Sequence, residues 1–177
     1  MSVDKVWWKT GHINKIWNDE YKNLNYTLVK YSNVQSSINW VKEGYEPSDG
    51  NCTIGMCGFK EKHPHWTPKI LEWLEKDFGW KDIGVNYFTM GTGQVISTHI
   101  DEFETYREKF NIKKRSDVER VVIFMEDWKS GHYFEIDNNP FVKWKAGDWV
   151  WWKGTVPHSA SNIGVETRYT LQLTGHR

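Results

Sequence analysis

Ile83-Gly84-Val85-Asn86-Tyr87-Phe88-Thr89-Met90, followed after Gly91-Thr92-Gly93 by Gln94-Val95-Ile96-Ser97-Thr98-His99, is the stretch on which the fold class turns. Both segments carry β-branched and aromatic residues, and glycine separates them, as in two short strands joined by a turn. The texture then persists to the C-terminus. Strands are expected over 119–126, 131–136, 141–145, 148–152, 156–161 and 165–174, with Asp137-Asn138-Asn139-Pro140 and Ala146-Gly147-Asp148 as punctuation. About eight short strands after a helical N-terminal part predict a mainly β sandwich or barrel with helices packed outside.

One helix is expected ahead of that run, over 67–79. Thr67 can cap it, Pro68 suits its first turn, and Ile70, Leu71, Trp73, Leu74 and Phe78 recur at helical spacing before Gly79. Residues 1–66 show mixed patterns and a loop-rich middle at 43–51. The charged insertion 102–117 carries Phe103, Tyr106 and Phe110 at helical spacing. The expected organisation is one domain over 1–177, with a strand core at 83–174 and helical and loop support at 1–82.

Composition narrows the function classes. Lys+Arg and Asp+Glu both total 23 in 177 residues, so the formal net charge is zero. That argues against nucleic acid or an anionic membrane surface as a partner, since both select a basic excess. No apolar run approaches the roughly 20 residues of a membrane span. With only Cys52 and Cys57, and no signal-like apolar segment at Met1–Trp8, the expected compartment is the reducing cytoplasm. Aromatics make up 16% of the chain, including 12 Trp, against 38% for all hydrophobic residues, which excludes a disordered chain. Either the core is built from few, large side chains, or some indoles form a binding surface. Composition leaves both open.

The richest chemistry lies in Ser97-Thr98-His99-Ile100-Asp101. Residues i and i+2 of a strand share a face, so an imidazole and a carboxylate can be presented together. Two imidazoles and one carboxylate suit Fe(II) and leave adjacent coordination positions for substrates. His158, in Val156-Pro157-His158-Ser159, is the candidate second histidine, and Arg168 stands ten residues later. Each has a plain structural reading as well. His-x-Asp is common by chance, and Arg168, Thr170 and Gln172 form the polar face of an alternating strand whose other face is Tyr169, Leu171 and Leu173. Periodicity alone therefore puts Arg168 in water, unless that face lines a polar internal cavity. His63-Pro64-His65 reads as an exposed loop pair and His132 as a surface strand residue. Cys52 and Cys57 read as packing or loop thiols, and Arg120 as a salt-bridge partner of acidic neighbours.

Taken in order, His99-x-Asp101, His158 and Arg168 resemble the iron(II)- and 2-oxoglutarate-dependent dioxygenase superfamily over residues 83–174. Gly93-Gln94, Arg120–Met125, Gly131–Ile136 and Lys145–Asp148 ahead of Pro157-His158 are most similar to its prolyl-hydroxylase-like branch. The resemblance implies a double-stranded β-helix, a cupin-like jelly-roll. It implies His99, Asp101 and His158 as the Fe(II) ligands and 2-oxoglutarate as cosubstrate. Arg168 would pair with the far carboxylate of 2-oxoglutarate, aided by the hydroxyls of Thr170 and Tyr87. The implied reaction consumes O2, releases succinate and CO2, and hydroxylates a C–H bond of a peptidyl or small-molecule substrate.

Two readings compete with it. One is a Trp-rich, lectin-like carbohydrate-binding jelly-roll without catalysis. The other is a metal-binding cupin that does not use 2-oxoglutarate. Fold alone does not choose among the three, and the sequence leaves the prime substrate and the oligomeric state open.

Overall fold

The structure, a computed structural model, describes residues 6–30, 41, 42, 44, 53–58 and 60–177. Its strands are β1 (Trp8–His12), β2 (Thr27–Lys30), β3 (Thr53–Cys57), β4 (Lys81–Met90), β5 (Gln94–His99), β6 (Glu119–Phe124), β7 (His132–Ile136), β8 (Asn139–Phe141), β9 (Asp148–Lys153), β10 (His158–Asn162) and β11 (Arg168–His176). The helices α1 (Thr67–Phe78) and the short α2 (Glu104–Lys109) lie between them.

The strands form two antiparallel sheets. Seven are ordered β1-β9-β6-β11-β4-β3-β2 and four are ordered β5-β10-β7-β8. Strand alternation gives the larger sheet two different faces. On its outer face Tyr87, Ile123, Trp149, Trp151, Leu171 and Leu173 pack against Ile70, Leu74 and Phe78 of α1. The buried Glu119 carboxylate serves two indoles there, accepting from Trp80 Nε1 at 2.7 Å and from Trp151 Nε1 at 2.9 Å. On the inner face Val122, Phe124, Val150 and Trp152 meet Phe134 and Ile136 of the smaller sheet. Phe88 and Met90 meet Ile54 and Ile96. The 148–152 strand thus sends Trp149 and Trp151 outward and Val150 and Trp152 inward.

Several expectations change. Helical and loop support is expected over 1–82, yet β1 extends the large sheet beside β9, and β2 and β3 extend it beyond β4. β1 and β2 are the edge strands of that sheet and are largely exposed, so their alternation is weak in sequence, while β3 lies inside it. Thr67 does not cap α1. Trp66 occupies the cap position without a side-chain bond, and Pro68 stands at the helix start. Gly79, in the left-handed region at φ 67°, closes it as expected. The strand expected over 141–145 ends at Phe141. Lys143 has φ 58°, which breaks the extended backbone. Asp137 and Asn138, both at positive φ, make the two-residue hairpin turn between β7 and β8. Cys57 is buried in the outer core, while Cys52 and nearly all of 43–51 lie outside the described residues.

Candidate metal centre

His99 ends β5 and His158 begins β10, and the two are cross-strand partners with ring centroids 4.3 Å apart. The β10 register shifts between His158 and Ala160, a bulge of the kind that re-aims a side chain. Asp101 lies two residues beyond His99, past the end of the strand, yet its carboxylate reaches both rings. Oδ1 is 3.6 Å from His99 Nε2 and Oδ2 is 3.3 Å from His158 Nε2.

The hydrogen bonds of the rings define what this cluster can hold. His99 Nδ1 lies 2.8 Å from the Ser97 carbonyl and His158 Nδ1 lies 3.1 Å from the Val156 carbonyl. A carbonyl only accepts, so both Nδ1 atoms donate, and Nε2 is the atom that each ring turns toward the carboxylate. Burial pushes the His158 imidazole below its ordinary value despite the Asp101 charge beside it, so the ring is neutral at pH 7. Burial would raise the Asp101 carboxyl, but the Arg120 and His158 neighbours outweigh it and hold it well below the usual carboxylate range. The candidate ligand atoms of the two imidazoles and of an ionised carboxylate converge within 4.8 Å. Such an arrangement is repulsive unless a cation sits among them. The donor set, two nitrogens and one oxygen, fits Fe(II).

Arg168 does not face water. It is 5% exposed and lines the same cavity of about 200 Å³ as His99, Asp101, His158 and Thr170. Its Nη1 donates to the Tyr133 carbonyl at 2.5 Å, and its guanidinium lies 6.0 Å from the Trp144 ring centroid. Burial pulls its pKa down to about 10, so it remains charged at neutral pH. Its Nε is buried with no hydrogen-bond partner among the described residues. A buried, unpaired guanidinium N–H is costly unless an anion meets it.

Tyr87 is not part of this cavity. It sits on the outer face of β4, where its hydroxyl lies 2.7 Å from Thr67 Oγ1 and its ring packs edge-on against Trp66. The period of two that brings Arg168 and Thr170 inward turns Tyr87 outward and offers Asn86 and Phe88 instead. Gln172, on the polar face named above, lines the cavity together with Asn86, an amide that sequence reasoning did not single out. The register Gln172↔Asn86 puts them side by side, and the Arg168-x-Thr170-x-Gln172 alternation was the available signal. His63 bonds the Gly58 carbonyl at 3.0 Å and His65 pairs with Glu20 at 2.8 Å, so neither joins the cluster. His132 is buried rather than at the surface, its Nε2 lying 2.9 Å from the Glu166 carbonyl.

No protein-family model matches the sequence, and no curated protein matches it. Solved structures do. A prolyl-4-hydroxylase from Pseudomonas putida superposes with TM-score 0.59 at 14% identity, covering 96% of this chain and 92% of that one. The fold is a double-stranded β-helix. A 2OG-Fe(II) oxygenase family oxidoreductase from Burkholderia pseudomallei matches with TM-score 0.48 at 13% identity, over 70% of this chain and 66% of that one. A putative sugar phosphate isomerase from Acidithiobacillus ferrooxidans matches with TM-score 0.39 at 17% identity, over 55% of this chain, which spans 52% of its length. In this double-stranded β-helix the smaller sheet carries the two histidines and the larger one carries Arg168 and Thr170, so the cavity is assembled only when the sheets face each other.

Proposed function

We propose that this chain is a single-domain, non-haem Fe(II) and 2-oxoglutarate-dependent oxygenase that hydroxylates a C–H bond of a peptidyl or small-molecule substrate, consuming O2 and releasing succinate and CO2. One observation carries the proposal. The unpaired guanidinium N–H of Arg168 is buried in the same cavity of about 200 Å³ as the His99, Asp101 and His158 cluster. A metal-binding cupin without 2-oxoglutarate use needs the cluster but has no use for that guanidinium.

In this reading His99, Asp101 and His158 hold the iron, and Arg168, with Thr170 beside it, receives the far carboxylate of 2-oxoglutarate. Iron, when bound with 2-oxoglutarate, supplies the oxidant for C–H chemistry. The chain supplies placement and exclusion of water. Trp152, whose ring centroid is 4.7 Å from that of His158, and Phe134 and Ile96 wall the cavity with apolar surface. A wider cleft of about 810 Å³ adjoins it, sharing Met56, Asn86 and Arg120, and gives the substrate its approach.

The lectin-like alternative loses its platform. Among the described tryptophans only Trp7 is exposed, and the others are buried or half-buried. No helix among the described residues is long and apolar enough to cross a membrane. A cytoplasmic setting belongs to the same proposal and is supported by Cys57, a buried free thiol.

The test is anaerobic. Fe(II) is added to the full chain, then 2-oxoglutarate, and the weak visible charge-transfer band of the chelate is sought. The band is expected in the wild type. Iron bound without it overturns the 2-oxoglutarate reading and leaves the metal-binding cupin.

A further inference from the structure

Each candidate ligand needs something to orient it, and the three are oriented by different means. The two histidines are tied locally, through Nδ1, to carbonyls two residues back in the chain. Asp101 has no such tether. It follows β5 in irregular backbone, just ahead of Phe103, which lies in the left-handed region at φ 53°. What holds its carboxylate comes from the other sheet. Arg120, on the inner face of β6, donates from Nη1 to Asp101 Oδ2 at 2.5 Å.

The guanidinium is itself fixed on its remaining sides. Nε and Nη2 both donate to Thr174 Oγ1, at 3.3 and 3.2 Å, and Thr174 is the β11 residue paired with Arg120 in the sheet. One face of the guanidinium lies 4.4 Å from the Phe103 ring centroid. The side chains of Arg120 and Asp101 are only 13% and 16% exposed, so solvent screens the contact weakly.

We infer that Arg120, anchored by Thr174 and stacked on Phe103, is the positioning residue that aims the Asp101 carboxylate at the metal. The inference rests on the metal-centre reading above. It also makes the metal site depend on closure of the two sheets, because the carboxylate is carried next to the smaller sheet while its clamp is carried by the larger one. Two opposed effects follow from removing Arg120. Loss of orientation weakens metal binding, and loss of a nearby positive charge strengthens it. The planar fork engages Asp101 and Thr174 at once, which a lysine ammonium cannot reproduce, and orientation is therefore the effect that wins. Orienting partners of metal ligands are typically worth about 10–100-fold in affinity.

Co(II) is the probe, because its visible spectrum reports ligand geometry without turnover. The full chain, its R120M and R120K variants and T174V are titrated with Co(II), and folding is checked by near-UV circular dichroism. The expected result is Co(II) binding by the wild type and affinity weakened about 10–100-fold in R120M with an altered spectrum. R120K is expected to recover only part of the loss, and T174V to show a smaller loss of the same kind. A wild type that binds no Co(II) overturns the metal-centre reading itself. Wild-type binding with R120M equal or tighter, and an unchanged spectrum, overturns the positioning role alone. If R120M does not fold, unchanged affinity and spectrum in T174V overturn it equally.

Discussion

Along β11, Arg168, Thr170 and Gln172 alternate with Tyr169, Leu171 and Leu173 on one continuous backbone, and the two sets meet opposite surroundings. Leu171 and Leu173 enter a dry, aromatic layer closed by α1, where Trp80 and Trp151 share one buried carboxylate. Arg168, Thr170 and Gln172 enter a cavity shared with two histidines and an aspartate. Among the described residues the unpaired buried polar atoms of the outer layer, Tyr21 Oη and Trp149 Nε1, belong to neutral groups. The inner layer keeps an unpaired guanidinium N–H and a convergence of candidate ligand atoms. The difference lies in charge: the inner face buries a guanidinium N–H without a partner, which the proposed function assigns to a ligand, while the unpartnered groups buried on the outer face are neutral.

That division can be broken most severely at Asp101. D101A is expected to lower Co(II) affinity by more than the roughly 100-fold that orienting partners command, while the urea midpoint of the metal-free chain shows whether the outer layer is intact. A midpoint collapse equal to that of an outer-face variant would erase the distinction. Next in size is W151A, which empties an indole from the outer layer. It is expected to cost about 3–5 kcal/mol of stability in urea denaturation, while the folded fraction still binds one equivalent of Co(II). R168A sharpens the comparison within the cavity. Loss of its charge-assisted bonds, about 1.5–3 kcal/mol, predicts 2-oxoglutarate affinity weakened roughly 10–100-fold by calorimetry on the Mn(II)-loaded chain, with Mn(II) affinity unchanged. Unchanged 2-oxoglutarate affinity would return Arg168 to a structural role.

The smallest effect concerns Tyr87. Y87F deletes the hydroxyl that meets Thr67, and is expected to cost about 1 kcal/mol of stability and nothing in 2-oxoglutarate affinity. A weakened cosubstrate affinity would return Tyr87 to the cavity side of the sheet. An acid limb accompanies these variants. The folded Asp101 carboxyl is held below its usual range, so its stabilisation is complete above about pH 4 and fades as pH falls through the depressed value. D101N is expected to flatten that limb in metal-free urea titrations.

Much of this was legible beforehand. The strand expected over 94–99 matches β5 residue for residue, 148–152 is extended by one residue in β9, and the apolar spacing of 67–79 gives α1. The order His99, Asp101, His158 and Arg168 named groups that the fold does bring together. The misreadings share a cause. β1–β3, Thr67, Tyr87 and the 141–145 segment all required knowing what lies across a sheet or beside a helix. Alternation states that two faces exist without stating which is which. Arg120 makes the salt bridge expected of it, and only the fold showed that its acidic partner is the candidate ligand Asp101.

From the sequence alone came the strand-rich architecture and the position of its helix, because backbone periodicity is a local property, while the candidate metal and carboxylate groups came from the family resemblance. Only the tertiary structure decided that Arg168 faces a cavity and Tyr87 a core, that both imidazoles offer Nε2 to one carboxylate, and that Arg120 reaches that carboxylate from the opposing sheet. These facts depend on which distant strands become neighbours, and register across a sheet is set by the packing of the whole molecule rather than by any one segment.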